Sequence, residues 1–133
     1  MIDKGIDNLV FGMTIEEIVG VIGQPDKINT EELSDFMVYY YNNLFVKLYY
    51  YAKPRYTLKS IETYNKKTEL FGHRIIGQPK YEVIKLLNSN NISSDELVLY
   101  DYGRFDTIFV DSFYMTFNFM FDKLVSVLFS SFH

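Results

Sequence analysis

The chain of 133 residues contains no cysteine and no tryptophan, and it has three prolines and two histidines. Without cysteine it can form neither disulfides nor thiolate metal sites, which suits a reducing compartment. No apolar run approaches the roughly 20 residues that a membrane-spanning helix needs. Residues 1–7 lack the basic, apolar and small-residue segments of a signal peptide. The sequence therefore predicts a cytoplasmic protein that does not interact with a membrane.

Motifs that carry catalysis or ligand binding are also missing. The sequence has no G-x-S-x-G elbow, Walker loop, H-E-x-x-H pair or EF-hand loop. Neither His73 nor His133 has such a motif around it, and adjacent acids such as Asp95 and Glu96 usually face water in loops. The sequence therefore predicts a protein that is not an enzyme and that holds no cofactor or metal.

Aromatic residues are abundant instead. Twelve Phe and twelve Tyr make up 18% of the chain, and this proportion favours pleated sheet, where flat rings pack against cross-strand neighbours. Hydrophobic residues account for 48% and charged residues for 23%, which is ordinary for a folded protein. A chain of 133 residues is long enough for one hydrophobic core. We therefore expect a single domain over residues 1–133.

An internal repeat organises this domain. Residues 11–22 align with residues 76–87, with glycine, glutamate and the apolar positions in common. The apolar blocks that follow recur in the same order in both halves. The sequence thus predicts repeat one at about 5–70 and repeat two at about 71–133.

Each repeat begins with a helical pattern and continues with strands. Thr14 and Glu17 have the spacing of a capping box, and Pro79 suits the first turn of the second helix. After each helix the apolar period changes from 3.6 to 2, most clearly over residues 115–121. The predicted fold class is α+β, with two tandem helix-plus-three-strand repeats forming one antiparallel sheet and both helices on one face.

Charge and tyrosine mark a candidate binding surface. Residues 95–111 hold five acids and one base, and the chain as a whole carries a net charge of −4, which argues against nucleic acid as a partner. On the sheet face away from the helices, tyrosine would offer a large contact area at small entropic cost. Solvated loops and edge strands with polar gatekeepers explain the charges equally well, and an ordinary half-buried antiparallel sheet explains the tyrosines equally well. The candidate partner-binding residues are Asp95, Glu96, Asp101, Tyr102, Arg104, Asp106, Asp111, Tyr114, Asn118, Tyr49 and Tyr51.

One segment resembles a known family. Residues 11–26, FGMTIEEIVGVIGQPD, are similar to the G-M-T-x-x-E-V-x-x-x-L-G-x-P-D signature of beta-lactamase-inhibitor-like proteins and of the small outer-membrane-assembly lipoproteins SmpA/OmlA. The second copy keeps Gly77 and Glu82 but lacks the Gly-x-Pro-Asp end. The resemblance implies the tandem-repeat fold. The chain departs from those families by lacking a signal peptide, a lipidated cysteine and disulfides, and so looks more like an immunity protein of a contact-dependent growth inhibition or related polymorphic toxin system.

The leading hypothesis is an immunity-type protein that neutralises a bacterial toxin, such as a basic nuclease, by occluding its active or substrate-binding surface. Opposite charges on the two proteins would steer their association. One alternative is a small-molecule or peptide-binding domain that uses the aromatic sheet face. Another is a homo-oligomer in which exposed tyrosine and methionine seal a symmetric interface.

Overall fold

The computed structural model describes residues 9–30, 35–52, 55–110 and 114–131. Eight strands form one sheet in the order β1-β2-β3-β4-β10-β9-β8-β7, and β5 pairs with β6 in a separate hairpin. The elements in chain order are α1 (Ile15–Ile22), β1 (Lys27–Thr30), β2 (Phe36–Tyr41), β3 (Val46–Tyr51), β4 (Thr57–Thr63), β5 (Glu69–Leu70), β6 (His73–Arg74), α2 (Lys80–Ser89), a 3-10 helix (Ser94–Glu96), β7 (Leu97–Asp101), β8 (Phe105–Val110), β9 (Met115–Met120) and β10 (Lys123–Ser130).

The prediction of two helix-plus-three-strand repeats with both helices on one face is wrong. The chain is mainly one large antiparallel sheet, and its two helices are only 8 and 10 residues long. Strands β1 and β7 escaped prediction because they lie at the edges of the sheet, where most of their side chains are exposed. Neither strand therefore shows the alternation of apolar and polar residues that marks a half-buried strand.

The chain divides into two compact units, one of residues 1–62 with 129–133 and the other of residues 63–128. In the first unit, α1 begins with the predicted capping box: the Glu17 N–H donates to Thr14 Oγ1 at 3.2 Å, and the Thr14 N–H donates to Glu17 Oε1 at 2.9 Å. The fully buried Ile18 anchors this helix in the core. The buried core residues of this unit are Leu9, Ile18, Tyr39, Tyr41, Val46, Leu48, Tyr50, Leu58 and Ile61.

In the second unit, α2 begins at Lys80, directly after Pro79, and buries Val83 and Leu87. Strands β9 and β10 are joined by a two-residue turn at Phe121 and Asp122, which have φ values of 51° and 62°. Positive φ at both positions is typical of the tight turns that connect antiparallel strands. The side chains buried along β8 and β9 are Ile108, Val110, Met115, Phe117 and Phe119.

Candidate protein-binding surface

Large apolar and aromatic side chains are exposed around β7, the strand at one edge of the sheet. Leu99 is 58% exposed and Tyr102, just after the strand, is 67% exposed. The turn between β9 and β10 lies beside this strand's own turn, because the Phe121 N–H donates to the Arg104 carbonyl at 2.8 Å. We call the exposed set the β7 surface, and it consists of Val98, Leu99, Tyr100, Tyr102, Phe105 and Phe121.

The turn after β7 holds this surface in a defined geometry. Gly103 has a φ of 85°, which a side chain would disfavour, and its N–H donates to Asp101 Oδ1 at 2.8 Å. The rings of Tyr100 and Tyr102 lie 6.3 Å apart between centroids and only 7° from parallel. Such stacked pairs present flat, rigid contact area.

The predicted acidic residues near β7 are exposed, but two of them also act locally. Glu96 Oε2 accepts a hydrogen bond from the Ser93 N–H at 2.7 Å and so caps the 3-10 helix. Asp101 stabilises the turn, as described above. Asp95 lies in the same 3-10 helix and faces solvent. These three carboxylates therefore border the β7 surface with negative charge.

Asp106 differs from the other predicted acids because it is already paired. Its Oδ2 lies 2.7 Å from Lys80 Nζ at the start of α2. The hydrogen bond from Lys80 holds the pKa of Asp106 below its usual range, although desolvation acts in the opposite direction. The same hydrogen bond raises the pKa of Lys80, against desolvation and with help from the charges of Asp101 and Asp122. The acidic stretch is thus partly neutralised from within the chain.

The remaining predicted residues of the second unit play different parts. Arg104 is exposed in the turn after β7, and Tyr114 is exposed with a positive φ of 51° just before β9. Asn118 is half-buried: it accepts from Thr107 Oγ1 at 3.3 Å and donates to Ser126 Oγ at 3.1 Å. The Asn118 side chain therefore forms hydrogen bonds across the strands. Asp111 lies outside the described residues.

Tyr49 and Tyr51 belong to the first unit, and they are half-buried on the face of β3 opposite Leu48 and Tyr50. The Tyr49 hydroxyl donates to Glu62 Oε1 at 3.1 Å. The Tyr51 and Phe36 rings lie 5.1 Å apart between centroids. These two tyrosines thus belong to a surface of the first unit and not to the β7 surface.

On the same face of the first unit, two lysines contact the aromatic ring of one tyrosine. Lys27 Nζ and Lys47 Nζ each lie 5.4 Å from the Tyr40 ring centroid, and both residues pair directly with Tyr40 across the sheet. Cation–π contacts of this kind add modest stability at exposed sites. Lys47 Nζ also lies 4.0 Å from Glu62 Oε1, so part of the positive charge on this face is balanced there.

Sequence reasoning missed Val98, Leu99, Tyr100, Phe105 and Phe121. The segment around Asp101 was predicted as an acidic patch, with solvated loops or edge strands as the alternative, and no strand was assigned to residues 97–101. A signal was present, since residues 97–102 read LVLYDY, a run rich in residues that favour strands. Its lack of alternation hid the strand, because neither face of β7 is deeply buried.

The second unit also contains a cleft of about 420 Å³ between α2 and the β5–β6 hairpin. His73, Arg74 and Lys85 are among its polar lining residues, and the buried Ile75 and Val83 are among its apolar ones. The volume falls within the range of small-molecule sites. The described residues that line this cleft include none of the tyrosines of the sheet face that was predicted as a ligand site.

Among the described residues, no three His, Asp or Glu side chains form a group that could hold a metal ion. None of the described helices is both long enough and apolar enough to cross a membrane.

Comparison with known proteins gives a structural neighbour but no family. No family model and no curated protein matches the sequence. The fold is similar to the crystal structure of an extracellular protein containing a SCP domain from Bacillus anthracis str. Ames, with a TM-score of 0.60 and 14% sequence identity. The match covers 91% of this chain and 44% of that one, so this chain spans less than half of its neighbour. At such low identity the likeness supports the fold alone. The resemblance to inhibitor-like and immunity proteins stays a prediction.

Proposed function

We propose that this chain is a protein-binding module that engages a basic protein partner through the β7 surface. The observation that carries the proposal is the group of six exposed apolar and aromatic side chains at one sheet edge. Exposed apolar patches of this kind commonly mark interaction sites in soluble proteins. Tyrosine in particular supplies contact area with a polar tip, and it is frequent at the energetic centres of interfaces.

Charge supports a basic partner. Asp95, Glu96 and Asp101 are exposed beside the apolar group, and Arg104 is the single base of residues 95–111. An acidic border would attract a basic surface over several ångströms and raise the association rate at low salt. Asp106 contributes less to this attraction, because Lys80 already neutralises it.

The narrower form of the proposal is an immunity-type protein that neutralises a bacterial toxin by covering the toxin's active or substrate-binding surface. It is supported by the motif resemblance, the acidic border and the exposed tyrosines. The predicted setting is the cytoplasm. An extracellular setting, as described for the structural neighbour from Bacillus anthracis, is the alternative, and cell fractionation followed by immunodetection distinguishes the two.

The test is a pull-down of the tagged chain from a lysate of its host, at low and at moderate salt, with mass spectrometry of the retained proteins. Tyr102→Ser and Asp101→Lys are the test variants. Tyr81→Ser is the matched control, because Tyr81 on α2 is also 67% exposed. We expect one basic protein to be retained by the wild type and by Tyr81→Ser, to be lost from both test variants, and to decrease as salt rises. Equal capture by all variants, or capture of nothing, would overturn the proposal.

The cleft beside α2 favours a second candidate function, the binding of a small anionic molecule. Its volume suits a small ligand, and Arg74 and Lys85 suit a carboxylate or phosphate group on an apolar body, although the acidic Glu82 also lines the cleft. Thermal stabilisation by a panel of small carboxylates and phosphates, abolished in Arg74→Ala, would support this function. An unchanged thermal midpoint with every compound of the panel would exclude this second function.

A further inference from the structure

The backbone of β7 exposes unpaired hydrogen-bonding groups along its outer side. β7 ends the sheet, and no other described strand lies beyond it. The Tyr102 N–H donates to the Phe105 carbonyl at 2.8 Å. Hydrogen-bonded and non-bonded pairs alternate along an antiparallel ladder, so the ladder bonds to β8 come from Tyr100 and Val98. The backbone groups of Leu97, Leu99 and Asp101 therefore point away from β8.

One of these outward groups is already satisfied. The Leu97 N–H donates to the Ser94 carbonyl at the end of the 3-10 helix. The outward groups that remain are the Leu97 carbonyl and the amides and carbonyls of Leu99 and Asp101. Together they can form the ladder of a short additional strand, centred on Leu99.

Edge strands are usually protected against such pairing, and β7 lacks the common protections. Its pairing with β8 runs without interruption over five residue pairs, so no bulge distorts it. It contains neither proline nor lysine, the residues that typically block an edge. β1, the opposite edge strand, begins with Lys27.

We propose that β7 accepts an extended segment of the partner as an additional strand, and that this segment has an apolar centre and basic ends. The inference rests on the function proposed above. A five-residue strand spans about 17 Å, with Asp101 at one end and Asp95 and Glu96 just beyond the other. Lysine or arginine at both ends of the incoming strand would meet these carboxylates. Its central side chains would pack beside Val98 and Tyr100 on one face and Leu99 on the other.

A second copy of this chain fits the edge less well. Antiparallel pairing of two β7 strands about Leu99 places Asp101 of each copy opposite Leu97 of the other, next to Glu96. Like charges that meet across paired strands are destabilising. The acidic ends therefore favour a basic segment over self-association.

The probe is a short synthetic peptide, Lys-Lys-Val-Thr-Val-Thr-Val-Lys-Lys, with a control in which every lysine is replaced by glutamate. Fluorescence anisotropy measures binding, and amide NMR follows the Leu99 and Asp101 N–H groups. We expect the basic peptide to bind at least about tenfold more tightly than the acidic one. We also expect the two amides to become protected from exchange. Binding that leaves both amides unprotected, or no preference between the peptides, would overturn the inference.

Leu99→Pro tests the backbone bond directly. Proline removes the outward N–H of Leu99 but no ladder bond to β8, and edge strands tolerate it. Leu99→Ile is the control, because it keeps the N–H and the apolar side chain. Loss of that one hydrogen bond predicts a peptide affinity up to about tenfold weaker for Leu99→Pro, and little change for Leu99→Ile. Protection of the Thr107 and Phe109 amides, which face β7, checks that β7 remains paired with β8 in the Leu99→Pro variant.

The same variants separate this inference from the proposed function. If the partner from the lysate is lost with Tyr102→Ser but kept with Leu99→Pro, the surface binds by its side chains, and strand addition is wrong. If the partner is kept by both variants, the function and the inference both fail. If sedimentation shows a dimer that Leu99→Pro converts to a monomer, the occupant is a second copy and the inference fails.

Discussion

The two compact units differ in how deeply some of their tyrosines are buried. In the first unit Tyr39, Tyr41 and Tyr50 are buried, whereas in the second Tyr100 and Tyr102 are 48% and 67% exposed. The difference follows from what covers each strand. Tyrosine thus contributes to the core in one unit, and in the other it is available for recognition.

In the first unit, helix α1 covers the buried tyrosines. α1 brings Ile18 into the same core cluster as Leu48 and Tyr50, and the ring centroids of Tyr39 and Tyr50 lie 5.0 Å apart in an edge-to-face arrangement. No helix among the described residues covers Leu99 and Tyr100 in this way, and both stay exposed. Position under a helix, rather than composition, therefore decides which aromatic and aliphatic side chains stabilise the fold.

The largest expected effect is on the free energy of unfolding, and it appears when two leucines are each replaced by alanine. Leu48 is fully buried on β3 and Leu99 is 58% exposed on β7. Leu48→Ala should lower the free energy of unfolding by about 2–5 kcal/mol, because it leaves a cavity. Leu99→Ala should change it by less than about 0.5 kcal/mol. Urea denaturation followed by circular dichroism measures both values. Similar losses for the two variants would show that β7 is packed as tightly as β3 and would break the comparison.

The sequence predicted best where one face of an element is buried. The capping box at Thr14 and Glu17 is confirmed, and β3 buries Val46, Leu48 and Tyr50 while the residues between them are half-buried. Such positions carry a strong periodic signal, because burial selects apolar residues at a fixed spacing. Local pattern and local structure agree there.

The sequence predicted least where contacts come from distant parts of the chain. Lys80 pairs with Asp106, and nothing in the local pattern of either residue indicates this contact. Strand β7 shows no alternation of buried and exposed residues, so the sequence did not distinguish an edge strand from a loop. The arrangement of the sheet and the ion pair both depend on long-range packing, which one sequence does not reveal. For this reason the acidic segment was predicted as a patch and its apolar neighbours were missed.

A smaller change in the free energy of unfolding, of opposite sign for Tyr41 and Tyr50, tests whether the hydroxyl of each buried tyrosine has a hydrogen-bond partner. The Tyr41 hydroxyl donates to the Gly23 carbonyl at 2.9 Å, and burial raises the pKa of Tyr41 to about 12. The buried Tyr50 hydroxyl has no hydrogen-bond partner among the described residues, and burial raises its pKa further. Tyr41→Phe should therefore destabilise the chain by about 1 kcal/mol, and Tyr50→Phe should stabilise it by a similar amount.

Tyr102→Phe is the control for this pair, because an exposed hydroxyl bonded to water contributes little to folding. Urea midpoints of the three variants can be compared in one buffer. A loss of stability in Tyr50→Phe would mean that its hydroxyl has a partner, such as a bound water.

The smallest expected effect concerns the ion pair between Lys80 and Asp106, which links stability to recognition. The lowered pKa of Asp106 means that its contribution is present above its unfolded pKa and is lost as pH falls through the folded value. The raised pKa of Lys80 means that its contribution is present below its unfolded pKa and is lost as pH rises through the folded value. The pair therefore stabilises the chain across the neutral range.

Lys80→Met should lower the thermal midpoint slightly near neutral pH, and the difference from the wild type should shrink at strongly acidic pH, as the pH falls through the lowered pKa of Asp106. Lys85→Met, which removes an exposed lysine of the same helix, should not show this pH dependence. Lys80→Met also leaves Asp106 unpaired beside the β7 surface, so capture of a basic partner should become stronger at low salt while stability falls. An equal difference between variant and wild type at both pH values would mean that Lys80 acts through its alkyl chain. Weaker capture would mean that the partner does not respond to negative charge at this edge.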